Sequence, residues 1–213
     1  MALSGFFLLF FLLQHLTINF ISVLSEDGFN AASHFMGTNP IVQIALQPVL
    51  AFGVIFHLMM GMRLEIQNRS ARPVKYAMNK AEANSTWMSR NMIITGIMIM
   101  LFLGLHFYDF WIPELNLKYI QGDMSGLIVG TDHFRYWEEL HHKFHDPIRT
   151  GLYVLSFVFL GLHLMHGFQS AFQSVGFNHN KYTPFIKKLS TIYAIVVPLG
   201  FIVVAVFHYM TQS

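Results

Sequence analysis

The stretch Gly161-Leu-His-Leu-Met-His-Gly-Phe-Gln-Ser-Ala-Phe-Gln-Ser-Val-Gly176 lies within a longer apolar run. Four polar side chains recur in it at intervals of three, four and four residues: His163, His166, Ser170 and Ser174. In a helix this spacing puts all four side chains on one face. A polar stripe on an apolar helix must face protein or a bound group rather than lipid. The pattern therefore predicts a buried group beside this helix.

The whole chain is unusually apolar. Of its 213 residues, 54% are hydrophobic and 11% are charged, against roughly 25% charged in an ordinary soluble domain. The chain contains no cysteine, which excludes disulfides, cysteine-ligated zinc, iron–sulfur clusters and thiolate-ligated haem within it. The same absence leaves the redox compartment undetermined.

Five segments exceed the roughly 18 apolar residues that mark a membrane-spanning helix. They contain no Lys, Arg or Glu, and their one acid is Asp109, near the end of the third. We number them as predicted spans 1 to 5: Ala2–Leu24, Val42–Met62, Asn91–Ile112, Thr150–Phe172 and Leu189–Met210. The first lacks the basic region and cleavage site of a signal peptide, so we interpret it as a retained helix. The sequence predicts an all-α integral membrane protein, a five-helix bundle forming one domain over residues 1–213.

Basic residues are concentrated in the loops after spans 2 and 4. These two loops hold nine of the thirteen Lys and Arg residues: Arg63, Arg69, Arg72, Lys75, Lys80, Arg90, Lys181, Lys187 and Lys188. The loop after span 1 carries Glu26 and Asp27 without a base, and the loop after span 3 has mixed charge. Because short basic loops stay in the cytoplasm, we expect a cytoplasmic amino terminus and a carboxyl terminus on the outer side.

Four spans each carry a histidine in their interior, and a rise of about 1.5 Å per residue converts sequence position into depth. In spans 2 and 4, His57 and His163 lie roughly 14 Å from the predicted cytoplasmic ends. In spans 1 and 3, His15 and His106 lie roughly 14 Å and 9 Å from the predicted outer ends. The sequence therefore predicts an inner pair, His57 with His163, and an outer pair, His15 with His106.

Two neutral imidazoles at one depth suit the two axial positions of a haem iron. With both positions filled, the haem can only pass electrons. Gly53 and Gly61 flank His57 at four residues on either side and would let a flat macrocycle approach closely. Arg63 and Ser170 are expected to hold the propionates of the inner haem.

The histidines also have simpler interpretations. A lone membrane histidine is often an interhelical hydrogen-bonding residue, although four of them at two matched levels are hard to explain in that way. His166 shares the face of His163, and a packing role is favoured over ligation. His208, near the outer end of span 5, has no partner at its predicted depth and is interpreted as interfacial. Pro48 and Pro198 are expected to kink their helices.

The loop after span 3 is rich in histidine, with His133, His141, His142 and His145. Its simpler interpretation is an amphipathic segment on the membrane surface, with Tyr136 and Trp137 at the interface. The alternative is a lid over the outer haem that exchanges protons with a quinone. Asp109 would orient a ligand, accept a quinol proton or simply be solvated. The candidates on the quinone side are Asp109, Glu26 and His145.

At these residues the chain resembles the cytochrome b membrane subunit of the succinate dehydrogenase and fumarate reductase family, in its five-helix, two-haem form. The resemblance runs over nearly the whole length, and span 5 is unmarked by a ligand, as in the family. It rests on four short motifs: His15–Asn19, Phe56–Gly61, His106–Trp111, and His163–Gly167 followed by Ser170. By this resemblance, His57 and His163 ligate the haem nearer the dehydrogenase, and His15 and His106 ligate the distal one.

The resemblance also implies cofactors, partners and a location. The cofactors are two haem b groups, with menaquinone or another quinone as substrate near the distal haem. A flavoprotein and an iron–sulfur subunit would bind the cytoplasmic face, and succinate would be oxidised on the flavoprotein. The chain would lie in the bacterial inner membrane, surrounded by lipid and with no nucleic-acid partner. Some family members carry an acid two positions before the last ligand, where this chain has Gly161; that difference argues against a proton route through the middle of the bundle.

Two other functions fit part of the pattern. The cytochrome b subunit of another quinone-linked enzyme, such as a hydrogenase or a formate dehydrogenase, would need the same ligands and a different soluble partner. The cytochrome of the bc complex fits less well, because it draws two ligands from each of two helices. A transporter that uses histidines as a metal or proton relay would usually show internal repeats and broken helices, and none is evident in the sequence.

Overall fold

The computed structural model describes residues 1–70 and 91–211. Within them, five helices are long and apolar enough to cross a membrane: Ala2–Leu24, Ile41–Asn68, Met92–Ile120, Pro147–Ser174 and Thr183–Met210. We keep the names spans 1 to 5 for these helices. The predicted all-helical, five-span architecture is confirmed. The basic residues Arg72, Lys75, Lys80 and Arg90 lie outside the described residues.

Spans 2 and 3 contain π-helical turns that precede a proline. Pro48 and Pro113 cannot donate a hydrogen bond to the carbonyl four residues earlier, and a wider turn accommodates the missing bond without ending the helix. In span 2, the π-helical Ile41–Leu46 leads into the α-helix Gln47–Ser70. In span 3, four segments follow one another: α-helical Met92–His106, π-helical Phe107–Trp111, α-helical Ile112–Leu115 and π-helical Asn116–Ile120. The predicted span 3, which ended at Ile112, was therefore too short.

Two shorter helices complete the described part of the chain. The connecting helix, Glu26–Thr38, is capped by Ser25, whose side-chain oxygen accepts a 3.0 Å hydrogen bond from the backbone nitrogen of Gly28. The surface helix, Tyr136–Lys143, docks through Trp137. The indole of Trp137 donates to the Ser22 carbonyl at 3.0 Å, and its backbone nitrogen donates to the Asn30 side chain at 2.8 Å. The predicted surface segment is thus a helix fastened to the end of the bundle.

Spans 4 and 5 form the most extensive helix pair. A Cβ atom at Gly161 would lie 3.1 Å from the Ala194 carbonyl oxygen and 3.5 Å from the Pro198 ring. Pro198 lies inside a continuous helix, and because it has no N–H, it leaves that same carbonyl without its intrahelical donor. Gly161 therefore stands at a point where the two backbones approach closely.

The bundle has two ends, which we name after Met1 and His208. At the Met1 end, Phe6 of span 1 packs on Phe172 of span 4, with ring centroids 4.7 Å apart. At the His208 end, the surface helix covers the bundle over a buried apolar core: Leu140, Phe144, Tyr153, Phe157 and Phe201. These ends correspond to the predicted cytoplasmic and outer sides, an orientation that stays a prediction.

Ion pairs hold the covering layer in place at the His208 end. Arg135 pairs with Glu114 of span 3 at 2.6 Å and with Glu139 of the surface helix at 2.7 Å. Lys118 pairs with Glu114 at 2.7 Å and also donates to the Gly37 carbonyl. The network therefore joins span 3, the connecting helix and the surface helix.

Candidate functional site

The structure brings together the imidazoles of the predicted outer pair. The ring centroids of His15 and His106 lie 5.7 Å apart, and the ring planes are inclined by 80°. A bond between a metal and an imidazole nitrogen is about 2 Å long, so two rings that ligate one iron from opposite sides have centroids roughly 6 Å apart. The observed separation is close to that value.

Aromatic rings surround the outer pair. Phe11 stacks on His15 at 5.4 Å, and Phe110 lies 5.3 Å from His106. Phe102, Tyr153 and Phe201 complete this cage. The Nδ1 atom of His106 is buried and has no hydrogen-bond partner among the described residues. A buried, unpaired imidazole nitrogen costs free energy unless the ring is engaged by a bound group, so the outer site suits a ligand.

The imidazole of His57, in the predicted inner pair, is oriented by a hydroxyl. Its Nδ1 lies 3.2 Å from the Ser4 hydroxyl, and that hydroxyl donates its proton to the Met1 carbonyl at 2.7 Å. A hydroxyl has a single proton. Ser4 therefore accepts a hydrogen bond from Nδ1–H of His57, and the lone pair of Nε2 stays available.

The same arrangement recurs at His163. Its Nδ1 lies 3.2 Å from the Thr95 hydroxyl, which donates to the Met92 carbonyl at 2.9 Å. Both inner imidazoles are therefore held in the tautomer that ligates a metal through Nε2. His57 and His163 also lie close enough to interact electrostatically.

Glycines border the inner imidazoles, although they are not the glycines that were predicted. A Cβ at Gly5 would lie 3.9 Å from His57, and one at Gly96 would lie 3.7 Å from His163. Gly53 instead faces Phe7 of span 1, where a Cβ would lie 2.9 Å from the ring, and Gly61 faces Met1. The expectation that Gly53 and Gly61 border a macrocycle stays a prediction, with Phe7 and Met1 as their nearest protein neighbours.

A signal for the missed residues was present in the sequence. The two hydroxyl groups and the two glycines form the dipeptides Ser4-Gly5 and Thr95-Gly96, one in span 1 and one in span 3. Each dipeptide places a hydrogen-bonding group and a small residue beside one inner histidine. Sequence reasoning missed both dipeptides, because it considered each inner histidine only with residues of its own span.

The other predicted residues of the inner site lie nearer the Met1 end. His166 is half-buried and interacts electrostatically with His163. Arg63 and Ser170 follow His57 and His163 by six and seven residues, which is about two helical turns. The Arg63 side chain is exposed and Ser170 is half-buried. Their role toward propionates stays a prediction.

The quinone-side candidates occupy different environments. Asp109 is 3% exposed and pairs with Arg149 at 2.9 Å. It also accepts a hydrogen bond from the Tyr153 hydroxyl at 2.9 Å, and Lys143 lies 3.8 Å away. The interpretation of Asp109 as solvated was therefore wrong. Two further candidates, Glu26 and His145, are exposed.

His208 differs most from its predicted setting. It is 0% exposed, and its Nε2 lies 2.9 Å from the Ser22 hydroxyl. Its Nδ1 lies 3.1 Å from Nδ1 of His141 in the surface helix. The interfacial interpretation was wrong, because the loop after span 3 returns over the end of span 5 and supplies a partner that depth along one helix does not reveal.

Each predicted pair supplies two nitrogen ligands. Residues 1–70 and 91–211 contain no group of three or more His, Asp or Glu side chains arranged to hold a metal ion. Two axial nitrogens suit a metal that arrives with its in-plane ligands, as the iron of haem does. The ring separation at the outer pair and the fixed tautomers at the inner pair both fit that group.

The chain is similar to the succinate dehydrogenase cytochrome b558 subunit of Bacillus subtilis (strain 168), with 23% identity over 189 residues. The similarity covers 88% of this chain and 81% of that protein. No family model matches the chain, and no solved structure matches it. The similarity supports the resemblance to the succinate dehydrogenase cytochrome b family. Together with the five apolar spans, it identifies a multi-pass protein of the bacterial inner membrane.

Proposed function

We propose that this protein is the di-haem cytochrome b membrane anchor of a succinate:quinone oxidoreductase. It passes electrons between an iron–sulfur subunit and a membrane quinone, with menaquinone the expected type. The observation that carries the proposal is the arrangement of four imidazoles from four different spans in two pairs. The outer rings are 5.7 Å apart, and the inner rings are each fixed by a hydroxyl.

The residues of the chain would hold and separate the two haems. His57 and His163 would hold the inner haem, and His15 and His106 would hold the outer one. When bound, haem b supplies reversible one-electron transfer. The hydroxyls of Ser4 and Thr95 keep the inner imidazoles in the ligating tautomer. At the outer level, the aromatic cage excludes water from the ligands.

The soluble partners would bind at the Met1 end. Lys181 lies in the loop between spans 4 and 5, Lys187 and Lys188 lie in the first turns of span 5, and all three are exposed. A basic surface attracts acidic partner surfaces. The partners are the iron–sulfur subunit and the flavoprotein, on which succinate or fumarate is converted. The chain would thus act in catalysis as the quinone-reactive electron-transfer subunit of the complex.

A visible spectrum of the purified membrane complex tests the proposal. We expect b-type bands in the reduced-minus-oxidised spectrum and two haems per chain by extraction and quantification. A colourless protein would refute the proposal. Identification of the copurified subunits adds the second test: a flavoprotein with an iron–sulfur protein supports a succinate enzyme, whereas a hydrogenase or formate dehydrogenase subunit refutes it.

A further inference from the structure

His208 and its two hydrogen-bond partners form a buried polar chain that the proposed haem sites do not use. His208 contacts Ser22 of span 1 and His141 of the surface helix. The rings of Trp137 and Phe144 pack on it, with centroids 5.5 Å and 6.5 Å from that of His208. A fully buried imidazole is costly unless its nitrogens are bonded, and here both are. The chain of three residues, which we call the His208 relay, is therefore a built feature of the fold.

Proton counting gives the relay a direction. The Ser22 hydroxyl donates its one proton to the Asn19 carbonyl at 2.6 Å. Its oxygen therefore accepts from Nε2–H of His208, and neutral His208 then has a bare Nδ1. His141 must donate from Nδ1 to that atom, which leaves Nε2 of a neutral His141 bare. Donation runs inward from His141 through His208 to Ser22.

The outer end of the relay reaches the protein surface. His141 is half-buried, and its ring lies 4.7 Å from that of the exposed His145. His142 lies 5.7 Å beyond His145. Burial lowers the pKa of His141, and the proximity of His145 lowers it further. His141 is thus neutral at neutral pH and can accept a proton from outside.

The other charged groups near the relay are engaged elsewhere. Lys143 and Arg149 both pair with Asp109, and Asp146 caps span 4 through the backbone nitrogen of Ile148. Among the described residues, His208 hydrogen-bonds to the Ser22 hydroxyl and the His141 imidazole and packs against aromatic rings. Within the described part of the chain, His141 is the titratable side chain that hydrogen-bonds to His208.

The inner end of the relay points toward the outer histidine pair. Ser22 follows His15 by seven residues in span 1, which is about 10 Å along the helix. Asn19 lies between them, and its side-chain nitrogen donates to the His15 carbonyl at 2.8 Å. The relay therefore extends from the exposed imidazoles of the surface helix to within about two turns of His15.

We propose that His141, His208 and Ser22 form the proton route between the outer surface and the quinone that reacts at the outer site. The inference rests on the proposed function. Reduction of one quinone to quinol consumes two electrons, which arrive through the haems, and two protons. For each proton, His141 Nε2 takes one from outside, Nδ1 of His141 passes one to His208, and Nε2 of His208 passes one to Ser22. The Ser22 hydroxyl turns away from the Asn19 carbonyl and releases its proton toward the quinone. A flip of each imidazole ring then restores the starting tautomers before the second proton, and the reverse sequence serves quinol oxidation.

The test separates quinone-linked proton transfer from the electron transfer that dithionite drives without quinol. Haem reduction in the purified complex is followed by stopped-flow absorption, with menadiol or with dithionite as the reductant, from about pH 5.5 to 8.5. The variants are His208→Gln and His141→Gln, in which an amide replaces the imidazole and can still hydrogen-bond but does not titrate in this range. His133→Gln is the matched control, because His133 is an exposed loop histidine outside the relay. We expect at least a tenfold slower reduction by menadiol in both relay variants, and a change below twofold in the control.

Two further readouts exclude a merely structural role. Dithionite should reduce two haems in every variant at the wild-type rate. Added imidazole should raise the rate of haem reduction by menadiol in His141→Ala at least threefold, since position 141 is accessible from the surface. Equal rates with menadiol in all variants, or a parallel loss with both reductants, would overturn the relay. Absence of b-type bands in the wild-type complex, or haems that menadiol cannot reduce, would instead refute the proposed function.

Discussion

The inner and outer histidine pairs are built from the same side chain but are held by different means, although His15 also has a polar neighbour, since the Asn19 amide nitrogen lies 3.4 Å from its Nδ1. Each inner imidazole has a hydroxyl on Nδ1, from Ser4 or Thr95. The outer imidazoles lie among aromatic rings, and Nδ1 of His106 has no hydrogen-bond partner in the described part of the chain. A hydrogen bond from Nδ1–H makes an imidazole a stronger donor toward a metal. Under the proposed function, this difference predicts two haems of unequal potential, because the outer ligands lie in an apolar cage.

The two pairs also lie under different surfaces. Beyond the inner pair, the Met1 end carries exposed lysines such as Lys187. Beyond the outer pair, the surface helix and its ion pairs cover the bundle. A bundle that passes electrons from a soluble partner to a lipid-soluble quinone needs these two kinds of end. The Met1 end, with its exposed lysines, suits docking, and the covered His208 end suits controlled access by protons.

Replacement of one proposed ligand should have the largest effect, because it should remove one haem and leave the other. His57→Ala should leave the outer haem and remove the inner one, and His106→Ala should do the reverse, because each iron loses an axial nitrogen. Haem quantification should fall from two per chain to one, with loss of electron flow from succinate to quinone. His166→Ala is the control, since His166 shares the helix face of His163 and should leave two haems. One haem per chain in the His166 variant would show that the ligand assigned in span 4 is wrong.

Removal of a single hydroxyl should weaken haem retention at the inner pair alone. Thr95→Val keeps the shape of the side chain and leaves Nδ1–H of His163 without its acceptor. Loss of such a partner typically costs 10–100-fold in metal affinity, so the inner haem should dissociate about tenfold or more faster while the outer haem is retained. Transfer of haem to apomyoglobin measures both rates.

The matched control for this substitution is Thr191→Val. Thr191 lies in span 5, is exposed and bonds only the carbonyl of Lys187. Its replacement should leave both haem dissociation rates within twofold of wild type. Equal acceleration at both haems in Thr95→Val would contradict a hydroxyl that acts on the inner level alone.

Gly161→Ala tests whether the stability of the bundle depends on the close approach of spans 4 and 5. The new methyl group would lie 3.1 Å from the Ala194 carbonyl, and overpacking of this kind typically costs about 1–3 kcal/mol. We expect a lower thermal midpoint, followed by intrinsic fluorescence in detergent. Gly151→Ala in the same span is the control, because a Cβ there meets nothing within 4 Å. A thermal midpoint at or above that of Gly151→Ala would show that the helices separate without cost.

Most of the fold could be predicted from the sequence, because hydropathy reports directly on burial in lipid. The first span was predicted to its observed ends, Ala2–Leu24. The later spans were predicted too short, since a helix continues after its residues become polar, as in the observed Thr183–Met210. The connecting helix was missed, although Ser25 followed by Glu26 and Asp27 is the pattern of a capped helix start.

The site could be predicted only from the positions of residues along single helices. Depth along each span predicted which histidines share a level, and the structure brings His15 and His106 together. Depth does not reveal which residue of another helix lies beside a ring, so Ser4 and Thr95 were missed. His208 was misplaced for the same reason, because its partner His141 comes from a loop that folds back. Ligation by these residues stays a prediction.

The smallest expected effect concerns the cover over the outer pair. Burial, and after it the charge of Glu114, raises the pKa of Tyr136 to about 12. Gly126, which has a φ of +66°, approaches the Tyr136 hydroxyl so closely that a Cβ there would clash with it. In the unfolded chain the Tyr136 phenol ionises near pH 10, whereas in the folded protein it keeps its proton until the pH approaches 12. The stabilisation is therefore complete below about pH 10 and is lost as the pH rises toward 12.

Thermal midpoints measured between about pH 8 and pH 11 should show this loss in the wild-type protein, and Tyr136→Phe should flatten the curve above about pH 10. Tyr119→Phe is the control, because the Tyr119 side chain is 60% exposed and is not part of the cover. At alkaline pH the outer haem should be released before the inner one, because the cover lies over the outer pair. An alkaline loss that releases the inner haem first would mean that the surface helix does not protect the outer level, and the contrast between the two ends would then rest on the ligands alone.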